Sequence, residues 1–209
     1  MTMRPRIIEI NKTILAYATP IRRHLHAGVE EFNRDLAARI LDLRERTPGK
    51  RLSNVGGWHS DDQLLQTLGE PFAGKLARMF MDDVREAFSV VTEADEALPA
   101  TVSIEAWANV NTRGDINVPH IHGGCPWSGV YYVACDTGPA AGGGLVFTDP
   151  RTAALMVVHP YNPFKGANHI TLAPEPGVMV VFPSFLYHGV QPYQGDSPRI
   201  SIAFNLLAR

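Results

Sequence analysis

From residue 101 to residue 207 the chain breaks into short apolar runs divided by Gly and Pro, and this texture limits the fold more than any other feature. The runs are TVSIEAWANVN, WSGVYYVAC, LVFTD, AALMVVH, HITLA, VMVVFP and RISIAFNLL. Each is of strand length and rich in β-branched or aromatic residues, so an antiparallel sandwich or barrel is predicted. Upstream the pattern differs. VEEFNRDLAARILDLRERT, residues 29–47, carries Phe32, Leu36, Ile40 and Leu43 at spacings of three and four, which marks an amphipathic helix. A second helix is expected from about Pro71 to Glu96, with Leu76, Met79, Phe80, Val84, Phe88 and Val91 on one stripe. The opening RIIEINKTILAYATP reads as one or two strands. No repeat, low-complexity tract or linker separates the halves. Residues 1–209 are therefore expected to form a single mixed α+β domain dominated by β, with a helical flank and short strands over 1–99 packed outside a β core over 100–209.

Nineteen basic and twenty-one acidic residues leave a formal net charge of −2, which argues against nucleic acid as a partner. Cys125 and Cys135 stand ten residues apart, with no secretory signal at the start of the chain. They read as reduced thiols in a cytoplasmic protein. Every uncharged stretch is broken by Gly or Pro before it could span a membrane.

In PHIHGGCPWSGVYYV, residues 119–133, two histidines stand one residue apart at the mouth of an apolar run. Side chains at i and i+2 of a strand share a face, so His120 and His122 project together. The best third ligand for a metal is His188, after VMVVFP and a turn. The alternative is a surface or hydrogen-bonded role, and that reading is taken for His24, His26, His59, His159 and His169. In RISIAFN, Arg199, Ser201, Ala203 and Asn205 lie on one face, while Ile200, Ile202, Phe204 and Leu206 lie on the other. If the helices cover the apolar face, an arginine points into the β core and needs a planar anion. Asp149 or Glu105 could supply it as a structural pair, or a small-molecule carboxylate could bind there.

His-x-His, then SGVYYV, a distal His, and Arg eleven residues later followed by x-Ser resemble the iron(II)- and 2-oxoglutarate-dependent oxygenases, in particular a bacterial group related to prolyl hydroxylases. The resemblance covers most of residues 100–207, and SNVGGWHS at 53–60 is similar to a signature of that group. It implies a double-stranded β-helix (jelly roll) and a hydroxylase using iron(II) and 2-oxoglutarate, with succinate and carbon dioxide as co-products. It places the iron ligands on His120, His122 and His188, and the distal carboxylate of 2-oxoglutarate on Arg199, with Ser201 beside it and Tyr132 hydrogen-bonded to it. Asn109 falls where a polar side chain lines the cosubstrate pocket. The substrate is left as a small molecule or a peptidyl group. One position departs from the common pattern, because most of the superfamily has Asp or Glu where His122 stands. Without that carboxylate the site carries surplus positive charge, so an acidic substrate, or a small anion in an open coordination position, is expected.

Two other readings stay open at this point. GDINVPHIH begins like a cupin motif, which would make the chain a metal-dependent isomerase or dioxygenase without a keto acid, although Pro126 and Trp127 stand where a cupin has Glu. A metal-binding module without catalysis is the other. Gly142–Gly144 reads as a turn, Trp58 and His59 as a loop packed on the core in preference to an edge of the substrate entrance, Asp149 and Arg151 as a pair across a turn in preference to a substrate role, and Cys125 as a bystander.

Overall fold

The computed structural model describes residues 18–92, 98, 101–151 and 168–207, together with the backbone of 8–10, 13–15 and 208. Strands β1 (Ile8–Ile10) and β2 (Thr13–Leu15) pair with each other. They are followed by β3 (Arg22–Leu25), α1 (Glu30–Arg46), β4 (Asn54–Val55), β5 (Trp58–His59), α2 (Leu64–Leu68) and α3 (Phe72–Val91). The remaining strands are β6 (Val102–Asn111), β7 (Ile116–His120), β8 (Trp127–Ala134), β9 (Leu145–Thr148), β10 (His169–Leu172), β11 (Val178–Pro183), β12 (His188–Val190) and β13 (Arg199–Ala208). The expected strand AALMVVH lies outside the described residues.

The strands from β3 to β13 form two sheets, ordered β3-β11-β8-β13-β6-β5 and β10-β9-β12-β7-β4, each with antiparallel neighbours. This is the β-dominated double-stranded β-helix expected from the sequence, with the helices on its outside. The continuous apolar runs of β8 and β11 follow from burial on both faces. Tyr131, Val133, Met179 and Val181 join the helices in one cluster, whereas Val130, Tyr132, Val178, Val180 and Phe182 meet Leu145 and Phe147 between the sheets.

The helices form where the spacing places them. α1 has Glu30 and Glu31 in its first turn and Arg44 and Arg46 in its last, matching the helix dipole at both ends. α3 buries Leu76, Met79, Phe80, Val84 and Phe88, and the Phe80 ring stacks on Phe204 of β13 at 4.1 Å. The contact pins the apolar face of β13 against α3, so its alternate residues face the space between the sheets. α3 ends at Val91, before the expected Glu96, and Thr92 returns its N–H to Phe88 O. Residues 93–97 lie outside the described set.

Strands β7 and β12 are not separated by sequence periodicity. They are five and three residues long, and Pro119 and Gly189 interrupt them. Gly189 has a reason to be glycine, since a Cβ there would stand 2.8 Å from Asn117 O of β7. Its absence lets the two strands lie close beside the site.

Candidate active site

β7 and β12 run antiparallel with His120 opposite His188. His122 lies just beyond β7, where its N–H donates to Ser184 O at 3.1 Å and ties it to the turn before β12. The three rings stand with centroids 5.1 Å (His120–His122), 4.5 Å (His120–His188) and 4.9 Å (His122–His188) apart. Ligand atoms from all three lie within 4.8 Å of one another. The rings are also held from behind. His120 Nδ1 donates to Val118 O and His188 Nδ1 to Leu186 O, each at 2.8 Å. A carbonyl only accepts, so both rings are fixed as the tautomer that keeps a lone pair on Nε2. His122 Nδ1 meets Asn205 Oδ1 at 2.7 Å and Ser128 Oγ at 2.9 Å. Burial pushes the His188 imidazole down to about 3 and that of His122 to about 4, and lowers His120 as well. Three neutral nitrogen donors thus face one space, and the side away from them is open, as a catalytic metal requires.

The same cavity, about 560 Å³, is walled at its other end by β6, β13 and β8. Strand register builds this wall in rows. Asn109 of β6, Ser201 of β13 and Tyr132 of β8 are lateral neighbours, and Arg199 stands opposite Asn111. Arg199 is 1% exposed. Its Nη1 reaches Asn111 Oδ1 at 3.3 Å and Ser201 Oγ at 3.2 Å, and its guanidinium lies 5.1 Å from the Tyr132 ring centre. Asp149 is held by Arg151 at 2.8 Å, and Glu105 is exposed at the cavity mouth. Among the described residues no carboxylate pairs with Arg199, which leaves a buried cation without an anion. Arg199 Nε, the Tyr132 hydroxyl and Asn109 Oδ1 are all buried without a hydrogen-bond partner.

Residues 105–205 match the family described as "Putative 2OG-Fe(II) oxygenase". This part of the chain, its β core, is that of an iron(II)- and 2-oxoglutarate-dependent oxygenase. Among solved structures it is similar to a Pseudomonas putida prolyl-4-hydroxylase, at 18% identity and TM-score 0.63, covering 90% of this chain and 92% of that one. HygX from Streptomyces hygroscopicus, solved with nickel and 2-oxoglutarate bound, matches at 14% identity and TM-score 0.59, over 90% of this chain and 82% of the other. A Trichoplax adhaerens prolyl hydroxylase, solved with a peptide fragment of hypoxia inducible factor, matches at 12% identity and TM-score 0.60, over 90% and 83%. These structures share the fold. No curated protein sequence matches the chain.

The oxygenase cavity fits the groups its family uses. Three neutral imidazoles suit iron(II), and a buried guanidinium beside an unpaired phenol suits the distal carboxylate of a keto acid. Further residues line or adjoin the cavity. His59 is buried and lines the cavity, in line with the substrate-entrance alternative and not with the packing loop preferred for it; Trp58, beside it, does pack in the core. β5 pairs His59 with Asn109, extending the Asn109–Ser201–Tyr132 row, and its ring stacks on Trp107 at 5.6 Å. Trp107 and Asn111 share the inward face of β6 with Asn109, so alternation along EAWANVN was the signal for both. Cys125 stands 3.2 Å from Ser184 Oγ, next to the hydroxyls behind His122. Gly143 of the glycine turn has φ +67°, and a Cβ there would meet Arg199 Cδ at 3.1 Å.

Proposed function

We propose that this oxygenase holds iron(II) on His120, His122 and His188, seats the distal carboxylate of 2-oxoglutarate on Arg199, and hydroxylates a peptidyl or small-molecule substrate. The observation that carries this reading is the buried Arg199, which pairs with no carboxylate among the described residues, in the wall of the cavity that the three histidines line. When bound, iron(II) with 2-oxoglutarate supplies the oxidative decarboxylation of the keto acid by oxygen, giving succinate, carbon dioxide and the oxidising power for C–H hydroxylation. The chain's residues do the positioning. Arg199 donates to the carboxylate, and the Tyr132 hydroxyl adds a second donor from the neighbouring strand. Ser201 keeps the guanidinium in place, and Asn109 lines the adjoining part of the wall. Val118 O and Leu186 O hold the Nδ1 protons of His120 and His188, so that Nε2 of each points to the metal position. Phe182 packs on His188 at 4.7 Å and shields its ring from water.

Three neutral histidines bring no negative charge. Iron(II), a 2-oxoglutarate dianion and Arg199 together leave the site near +1, which favours an acidic group near the reacting carbon of the substrate, or a small anion in an open position. Cys125 and Cys135, both free thiols, fit a reducing, cytoplasmic setting. No described helix is long and apolar enough to cross a membrane.

Calorimetry of 2-oxoglutarate binding to nickel-loaded protein tests the reading without turnover. Arg199→Ala is expected to weaken the keto acid by roughly 30-fold, about 2 kcal/mol, with metal content unchanged. Arg199→Lys keeps the charge but not the two-pronged contact and is expected to fall between. Unchanged affinity in a folded Arg199→Ala chain sinks the assignment.

A further inference from the structure

A second His-x-His pair stands outside the cavity. His24 lies on β3, an edge strand of the larger sheet, and His26 follows two residues later, so both imidazoles leave the backbone on one side. They converge on Asp83 of α3. His24 Nδ1 is 2.8 Å from Oδ1 and His26 Nε2 is 2.7 Å from Oδ2. The ring centres are 4.3 Å apart, and ligand atoms of all three residues lie within 4.8 Å of one another. Asp83 is 2% exposed and interrupts the otherwise apolar stripe of α3, and Arg22 Nε donates to its Oδ1 at 2.7 Å. One arginine already matches that carboxylate in charge. Two imidazoles gathered on it as well exceed what charge balance needs.

We propose that His24, His26 and Asp83 form a second metal site, for a divalent cation of the zinc class, that staples β3 to α3. Two imidazole nitrogens and one carboxylate oxygen are a donor set that zinc accepts. The cluster opens onto a cavity of about 600 Å³, which gives water room to complete the coordination. On binding, each ring gives up the proton on the nitrogen that faces Asp83, to its other nitrogen or to water, so that Nδ1 of His24 and Nε2 of His26 offer their lone pairs. Oδ2 takes the metal while Arg22 keeps Oδ1, holding the carboxylate from behind. Asp82 is engaged with Arg85 at 3.1 Å, and Lys75 lies over the Phe32 ring at 4.1 Å. Arg22 and Arg78 still oppose a cation there, so this site is expected to be weaker than the one inside the oxygenase.

Metal-free, full-length protein is titrated with cobalt(II), and bound metal is counted after gel filtration. The deciding variant combines His24→Asn and His26→Gln. Its amide nitrogens replace the donating ring nitrogens, so the hydrogen bonds to Asp83 persist while the lone pairs are lost. It is expected to bind one equivalent fewer than the parent and to show a smaller rise in melting temperature with zinc than the parent does. Equal uptake by parent and variant overturns the proposal. His188→Ala addresses the inner site separately: it too should bind one equivalent fewer than the parent, and its failure to do so would count against the oxygenase ligands without touching this inference.

Discussion

The two His-x-His pairs of this chain have the same spacing and opposite surroundings. His120 and His122 meet a third neutral imidazole, His188, and their outer nitrogens rest on fixed oxygen atoms, Val118 O for one, Asn205 Oδ1 and Ser128 Oγ for the other. Burial keeps all three rings uncharged. His24 and His26 instead turn a nitrogen directly onto Asp83, whose carboxylate is shared with Arg22. Strand geometry sets two imidazoles side by side; the group that faces them, and whatever holds their remaining nitrogens, decides whether the pair offers its lone pairs as it stands or must first release hydrogen bonds to do so.

The largest expected difference between the regions appears in acid. Below about pH 6.5 an unfolded histidine takes up a proton, whereas folded His122 and His188 stay neutral until about 4 and 3. The unfolded state then holds more protons, so stability of the metal-free protein falls with falling pH, by about 1.4 kcal/mol per pH unit for each such histidine. Urea unfolding between pH 7 and pH 4.5 measures this slope. His188→Gln is expected to reduce it by about one histidine's share. A slope unaffected by His188→Gln would mean that the inner rings are not kept neutral by burial.

Next in size is the loss of Asp83. Asp83→Ala leaves Arg22, His24 and His26 without their acceptor and is expected to cost about 3 kcal/mol in unfolding free energy, with 2-oxoglutarate affinity unchanged. If the variant weakened the keto acid instead, the two regions would not be independent.

How far each region was legible in the sequence depends on the length of its elements. β13 runs ten residues, so alternation alone put Arg199, Ser201 and Asn205 on one face and Phe204 on the other. The inner histidines were legible through their spacing, but their strands were not, because β7 carries Pro119 and β12 is three residues long. His59 reached the cavity through β5, two residues paired with β6, and a pairing that short leaves no period to read. The outer cluster had a signal that was passed over. Asp83 falls three residues after Phe80 and next to Val84, on the buried stripe of α3, where a charge requires a partner. The partner sits in HLH at 24–26, the second His-x-His pair, whose members read singly as surface or hydrogen-bonded histidines and are hydrogen-bonded to Asp83.

The smallest expected effect concerns the position that makes the inner site unlike most of its superfamily. His122 contributes no charge, and its Nδ1 is bound by Asn205 and Ser128. An Asp there would be shorter and would lower the net charge of the loaded site by one. The attraction of an exchangeable anion to the open position would weaken with it, by about 1 to 2 kcal/mol at the effective dielectric of a partly buried site. His122→Asp is therefore expected to keep its metal, as the common ligand pattern allows, and to bind chloride or acetate roughly tenfold more weakly than the parent when these compete in a 2-oxoglutarate titration of the nickel-loaded protein. The outer variant His24→Asn with His26→Gln serves as the control and should leave that competition unchanged. Equal anion competition in His122→Asp and the parent would show that the missing carboxylate does not govern which anions, or which acidic substrates, the cavity accepts.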